Sequence, residues 1–518
     1  MNFVSKFARL KITAIFLAAL ITSWSFSPCL AETALNLEQA AANTSDKGSP
    51  LNAFAAVTVD EQIEDLTKQI ATLEQELIRL NTNFRIECTG VGKWKRWRLF
   101  AYNLGGSGTC LAGSASIAAT RWHYSRNSSA MSIPTAVAGP TCLLIGHCIV
   151  LTGVLVETAF DFVHDRSVRH KGLDLKTTHK RVLEIKSTVD RLMAQRQALL
   201  PEHPAAARAC ANEEQHESTA IDHEIARAEG KVLQDLQALA LNEYAQFYGR
   251  AHNYFAARRT NNILALTAAS TGGFGGSLPG MISAAERRPR VVGAGGIGFP
   301  ISGAIITASP ILVKLMGDRA GKNSYKTIEA ELKTATVSSL RQFDEDRSRL
   351  DRLVSQAQSS ENEKLANVKK RLAAYSRHSL LLAAQAQLTK REKASADREL
   401  AERMIFATAV GGSKISWGVN LANAGFGFRR QSILQVAQGA AGPTLVTSPT
   451  PGNLFTKRVA IGATTYLPST SFWLIDTLQN RIRGELRERD LVRQKIHPSI
   501  LLKERQDLVR EIDEGLNY

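Results

Sequence analysis

The chain has 518 residues, a formal net charge of +16 at neutral pH and 44% hydrophobic residues. That length has room for several domains, and the basic excess points to an anionic partner, either nucleic acid or an anionic membrane surface. A mean hydropathy of −0.13 does not by itself mark a membrane protein, but the average hides a segregation of apolar and charged residues into separate blocks.

At the N-terminus Lys6, Arg9 and Lys11 form a basic region, Thr13–Thr22 an apolar core, and Cys29-Leu30-Ala31 a small-x-small cleavage pattern. This arrangement predicts a bacterial-type signal peptide cut after Ala31, with an uncleaved signal anchor as the alternative. Phe26-Ser27-Pro28 ahead of Cys29 makes a poor lipobox. Export makes nucleic acid a poor explanation of the charge and leaves anionic lipid headgroups as the expected partner. Residues 32–56, rich in Ser, Asn, Gly and Pro, read as a linker.

A heptad pattern follows. Ile63, Leu66, Ile70, Leu73, Leu77 and Leu80, flanked by Val59 and Phe84, alternate at spacings of four and three. This is the seam of a coiled coil, and it predicts a helix over 57–92 that meets a helical partner or a second copy of itself.

Residues 93–166 predict a first apolar helical hairpin. Lys93, Lys95, Arg96 and Arg98 interleave with Trp94 and Trp97, and an uncharged run from Leu99 ends at Arg121-Trp122. Tryptophans bracketing an uncharged stretch, with cations outside them, fit a membrane interface, so Lys93, Arg96, Trp97 and Trp122 are the expected interfacial residues. A pair of charged helices fills 167–259, and a second hairpin spans 260–319. Another helical pair covers 320–404, a third hairpin broken by Pro443, Pro449, Pro451 and Pro468 spans 405–478, and a short helical region fills 479–518. The alternation reads as a weak internal repeat. The predicted fold class is therefore all-α, with three glycine/alanine-rich apolar hairpins alternating with long coiled-coil-like helices.

Four of the apolar segments reach the ~20 residues that a spanning helix needs. They are rich in small residues rather than leucine. Ala268, Gly272, Gly276, Gly280 and Ala284 recur every fourth residue, which on an α-helix makes one smooth packing ridge. Membrane burial explains so many helical glycines, and tightly packed core helices of a soluble bundle are the competing explanation. Cations flank both ends of the hairpins, so the signal peptide decides the orientation and places the coils on the periplasmic side.

Few residues suggest chemistry. Lys414 interrupts 405–428, where an ionisable group in a spanning helix is a functional candidate and in a partly inserted one snorkels or sits in water. His147 lies in 131–156 and is expected to be a packed histidine. His164, Asp165, His170 and His179 lack metal-ligand spacing, and Gly293–Gly298 lacks the strand and Lys-Ser/Thr of a phosphate loop. No catalytic, cofactor or metal motif is present. Cys110 and Cys142 stand equidistant from Arg126, so a hairpin turning there sets both thiols at one depth. The expected function is that of a membrane-associated structural scaffold or tether of the bacterial cell envelope whose coils engage a partner. A helical channel, a transporter or a conditionally inserting pore is the alternative, and an enzyme is not expected.

Overall fold

The computed structural model describes residues 59–89, 93–126, 132–200, 213–286, 288–332, 340–357, 363–438 and 454–516. The signal peptide, the linker, and the turns expected at Pro201–Pro204 and Ser359–Asn362 lie outside the described residues. Those residues are helical almost throughout and contain no strand, so the fold is all-α.

The helices are α1 (Val59–Thr89), α2 (Lys93–Arg126), α3 (Ile133–His170), α4 (Leu175–Leu199), α5 (Glu213–Ser270), α6 (Leu278–Glu286), α7 (Pro289–Leu332), α8 (Leu340–Gln356), α9 (Glu363–Gln438), α10 (Leu454–Arg493) and α11 (Pro498–Leu516). A π-helical turn, Thr271–Ser277, joins α5 to α6. Local chemistry sets several ends. Ser132 accepts a bond from the Thr135 amide and caps α3, with Pro134 in the first turn where no amide partner is lost. At the other end of α3, Gly172 takes a positive φ of 66° and the Leu173 amide reaches back to the Val168 carbonyl. Glycine adopts that conformation without Cβ strain. Asp174 then caps α4.

Five helices run straight through the boundaries drawn between charged and apolar blocks: α3, α5, α7, α9 and α10 each belong to both. Among the described residues there are two large cores on shared helices, and a small third cluster where Leu381 and Leu388 of α9 meet Leu501 and Leu508 of α11. The first, here called the platform, joins α1, α4, α8 and the charged ends of α5, α7 and α9 around Phe84, Val182, Tyr244, Leu332, Phe343 and Leu350. Each such side chain, fully buried, contributes roughly 1.5–3 kcal/mol. The heptad seam is used here, inside the chain. Ile70, Leu77 and Leu80 enter this core beside Ile185, Val189 and Leu192 of α4, Leu66 and Leu73 pack against it, and Ile63 is also buried. Those six positions are consequently not free for a second protein. The reason is tertiary: α1 meets α4, α5 and α11 at once.

The second core is a closed ring of six helices, α2, α3, α5 with α6, α7, α9 and α10, each antiparallel to its neighbours. Small residues set the spacing. A Cβ on Gly113 would lie 2.8 Å from the Gly139 carbonyl, and one on Gly146 would lie 2.8 Å from that of Gly106. Both pairs centre on position 126, and the Cys110 sulfur lies 3.8 Å from the carbonyl of Leu143, next to Cys142. Both cysteines are free thiols. Between α7 and α9, Gly303 faces Gly411 and Gly296 faces Ala422. The third apolar pair is no shorter than the others, because α9 is continuous to Gln438 and Pro468 is accommodated within α10.

The glycine ridge does not survive as one stripe. The π turn inserts a residue into the fourfold spacing, so Gly272 faces His147 and Lys414, Gly276 faces Phe299, and Gly280 approaches Pro140. Gly275 and Gly298 also approach closely: an added Cβ on Gly298 would fall 2.2 Å from the Gly275 carbonyl carbon. Length and apolarity together qualify two stretches, inside Ile133–Leu199 and Arg290–Leu332, to cross a membrane. Serine, asparagine and Lys414 dilute the apolar character of α2 and α9.

Candidate functional site

Both cores bury apolar and polar side chains, and they differ in their exteriors. In the ring Ser107, Ser114, His147, Ser302, Lys414 and Thr470 are buried, while Leu155, Phe162, Ile263, Ile297, Leu315 and Ile405 are exposed.

Lys414 and His147, expected as separate polar residues, are brought together at the centre of the ring. On α9 the inward face runs Gly411, Lys414, Trp417 and Leu421, at helical spacing. On α3 Leu143 and His147 occupy the equivalent face. Lys414 Nζ lies 3.0 Å from His147 Nε2, and only 4% and 3% of the two residues are exposed. Lys414 is therefore enclosed by protein and does not snorkel to water. His147 Nδ1 lies 2.7 Å from the Leu143 carbonyl, a contact that requires a proton on Nδ1. That assignment leaves Nε2 as the acceptor for the ammonium and keeps the ring neutral. Cys110 Sγ is 3.8 Å from the same Nδ1, but with that proton committed to the carbonyl, the nitrogen does not act as a base toward the thiol.

The π turn makes room for the pair. Its i→i+5 bonding appears in the Leu278 amide bonding to the Gly273 carbonyl and in Ser277 Oγ donating to the Gly272 carbonyl at 3.1 Å. A Cβ on Gly272 would come within 2.7 Å of both His147 Nε2 and Lys414 Nζ, so a side chain there would displace the ammonium. Such turns recur at functional sites. Beneath the pair lie Phe299, Trp417 and Tyr466; the last two are stacked with centroids 5.8 Å apart, and Lys414 Nζ is 6.0 Å from the Phe299 centroid.

Above the pair is a cavity of about 260 Å³. All six ring helices line it, through Asn103, Val150, Ala268, Ile306, Val410 and Ser469 among others. It shares Asn103, Arg403, Trp473 and Asp476 with a wider vestibule of about 790 Å³. Six arginines line that vestibule (Arg96, Arg398, Arg403, Arg481, Arg483 and Arg487) against three carboxylates, Glu399, Glu402 and Asp476. Several are engaged: Arg403 with Glu399 at 2.6 Å, Arg483 with Glu402, and Arg96 with Glu488 at 2.9 Å. Arg481 also pairs with Glu485, and Arg398 lies 3.4 Å from Glu402, so most of this positive charge is matched by carboxylates.

The expected interfacial residues sit at opposite ends of α2. Trp97 is 42% exposed with the Arg481 guanidinium 4.0 Å above its ring. Trp122 Nε1 donates to Thr464 Oγ1 at 2.9 Å. Of the basic cluster, Arg98 chelates Glu157 at 2.6 and 3.2 Å, and Lys95 pairs with Asp161. These cations close the ring against itself and are not left free for headgroups. Lys93 lies on α2, but its side chain is outside the description.

Sequence reasoning missed the π turn, the aromatic floor and the vestibule. The glycine run Thr271-Gly272-Gly273-Phe274-Gly275-Gly276 was the available signal for the first. Among the described residues no group of three His, Cys, Asp or Glu could hold a metal ion. No protein-family model matches the chain, and no characterised protein or solved structure shows significant similarity to it.

Proposed function

We propose that this chain is an exported, membrane-associated scaffold or tether of the bacterial cell envelope. The six-helix ring holds the bilayer, its helices forming three apolar hairpins, and the platform stands on the periplasmic side to carry a partner. The observation that carries this reading is the ring's exterior, where Leu155, Phe162, Ile263, Ile297, Leu315 and Ile405 are exposed. So much outward apolar surface is costly in water, where it has no solvent-shielded neighbour. In lipid that exterior is matched, and buried hydroxyls such as those of Ser114, Ser302 and Ser469 bond within the protein. Trp97 and Trp122, at the two ends of α2, fit the level of the two membrane interfaces. Because the heptad seam is occupied, the partner surface is the platform's charged exterior.

Carbonate extraction of a membrane fraction tests the anchor: the protein is expected in the pellet with the lipid, and recovery in the wash overturns the reading. A second reading, a channel or transporter, is favoured by one observation, the cavity shared by all six ring helices. Ion or solute flux into liposomes bearing the purified chain tests it.

A further inference from the structure

We infer that the central cavity is a binding site for an amphipathic monocarboxylate of medium chain length, with its carboxylate on Lys414 Nζ and its chain against the apolar wall above. The inference goes beyond the anchoring role and does not depend on what the platform holds.

Charge gives the first reason. An ammonium has three donors, and one of Lys414's is taken by His147 Nε2. That partner is a neutral ring, and among the described residues Lys414 makes no ion pair. A cation enclosed by protein without a counter-charge is costly, and a carboxylate supplies both the charge and the missing acceptors. The geometry leaves room beside Nζ, because Gly272 has no side chain there and Lys414 is one of the residues that line the cavity.

Shape gives the second. About 260 Å³ of free space corresponds to roughly nine waters at ~30 Å³ each, far more than a halide occupies. The wall between the lysine and the mouth is mostly apolar, with Leu264, Ala265, Ala268, Ile305 and Val410 on it. Water there has few partners, whereas an alkyl chain of six to eight carbons buries its surface at ~25 cal/mol per Å². A phosphate or a dicarboxylate would leave its second charge against that wall. Arg403, paired with Glu399, and Asp476 also line the cavity, so it offers no second free cation for a doubly charged ligand.

Titration of the purified full chain in dodecyl maltoside micelles with [1-13C]octanoate, with empty micelles as blank, tests the site. Saturable binding with a shifted carboxyl resonance is expected. Lys414→Gln should weaken it at least about tenfold, as removal of one partner of a buried charged pair does, while octanol and chloride at about 100 mM should not displace it, since neither satisfies both features. No saturable binding, equal binding by Lys414→Gln, or displacement by octanol or by chloride overturns the proposal. Should Lys414→Gln fail to fold, Ala265→Phe decides, because it fills the cavity and keeps the lysine: loss of binding supports the site, and retained binding overturns it. Recovery of the chain in a carbonate wash would remove the anchor reading and leave this measurement standing.

Discussion

Arg371 donates two hydrogen bonds, of 2.7 and 3.2 Å, to the carboxylate of Glu229, 142 residues away, inside the platform, and the same guanidinium holds Glu64 at 2.8 Å. One arginine of α9 thereby pins α5 and α1 together. With 8% of its side chain exposed against 4% for Glu229, it makes a buried ion pair, whose loss leaves an uncompensated charge. Arg371→Met should cost about 3–5 kcal/mol in denaturant unfolding, and Arg371→Met with Glu229→Leu should recover much of that loss. A single variant within about 0.5 kcal/mol of wild type would show the pair to be dispensable.

His378 carries the acid sensitivity of the platform. Burial lowers it from 6.5 to about 4, opposed by Glu243 and assisted by Arg505, and both its ring nitrogens lack a hydrogen-bond partner among the described residues. As pH falls, the unfolded chain takes up this proton before the folded one does. The contribution of His378 is therefore full above pH 6.5 and declines between 6.5 and about 4, by on the order of 3 kcal/mol. His378→Leu should flatten that part of a Tm–pH profile. An unchanged slope would assign the acid sensitivity to another group.

Glu74 has the opposite sign. Burial holds its carboxyl well above 4.5, and neither oxygen has a hydrogen-bond partner among the described residues. Above the ordinary carboxylate value the unfolded chain loses its proton while the folded one retains it, so stability falls as pH rises. Glu74→Met, close in volume, should raise Tm, with a larger gain at pH 8 than at pH 4.5. A gain independent of pH would mean that packing alone is responsible.

Gly298 and Gly412 test the ring's tight crossing. A methyl group on Gly298 meets the Gly275 backbone at 2.2 Å, whereas one on Gly412 meets nothing within 4 Å. Gly298→Ala should destabilise the chain by about 1–3 kcal/mol, as overpacking does, and Gly412→Ala should be neutral or stabilising by up to ~1 kcal/mol. Thermal unfolding of both in the same detergent checks the contrast, and equal Tm values would argue against the crossing.

The sequence alone determined the helical class, the position of α1 and the alternation of charged with apolar blocks. Each is a local property: a heptad spacing, a run without charge, a cluster of glycines. It also marked Lys414 and His147 as the two polar residues out of place in apolar segments. Tertiary structure decided what those features meet. The seam from Ile63 to Leu80 is indistinguishable in sequence from one awaiting a partner, and its occupants, Val189 and Leu192, come from another helix. The fourfold ridge from Ala268 to Ala284 presumes unbroken α-helical geometry, and a π turn at Thr271–Ser277 re-aims it. The pairing of Lys414 with His147 across 267 residues is set by the order in which six antiparallel helices close a ring. Periodicity fixes which face of a helix is apolar, but the neighbour on that face is a non-local choice made by packing.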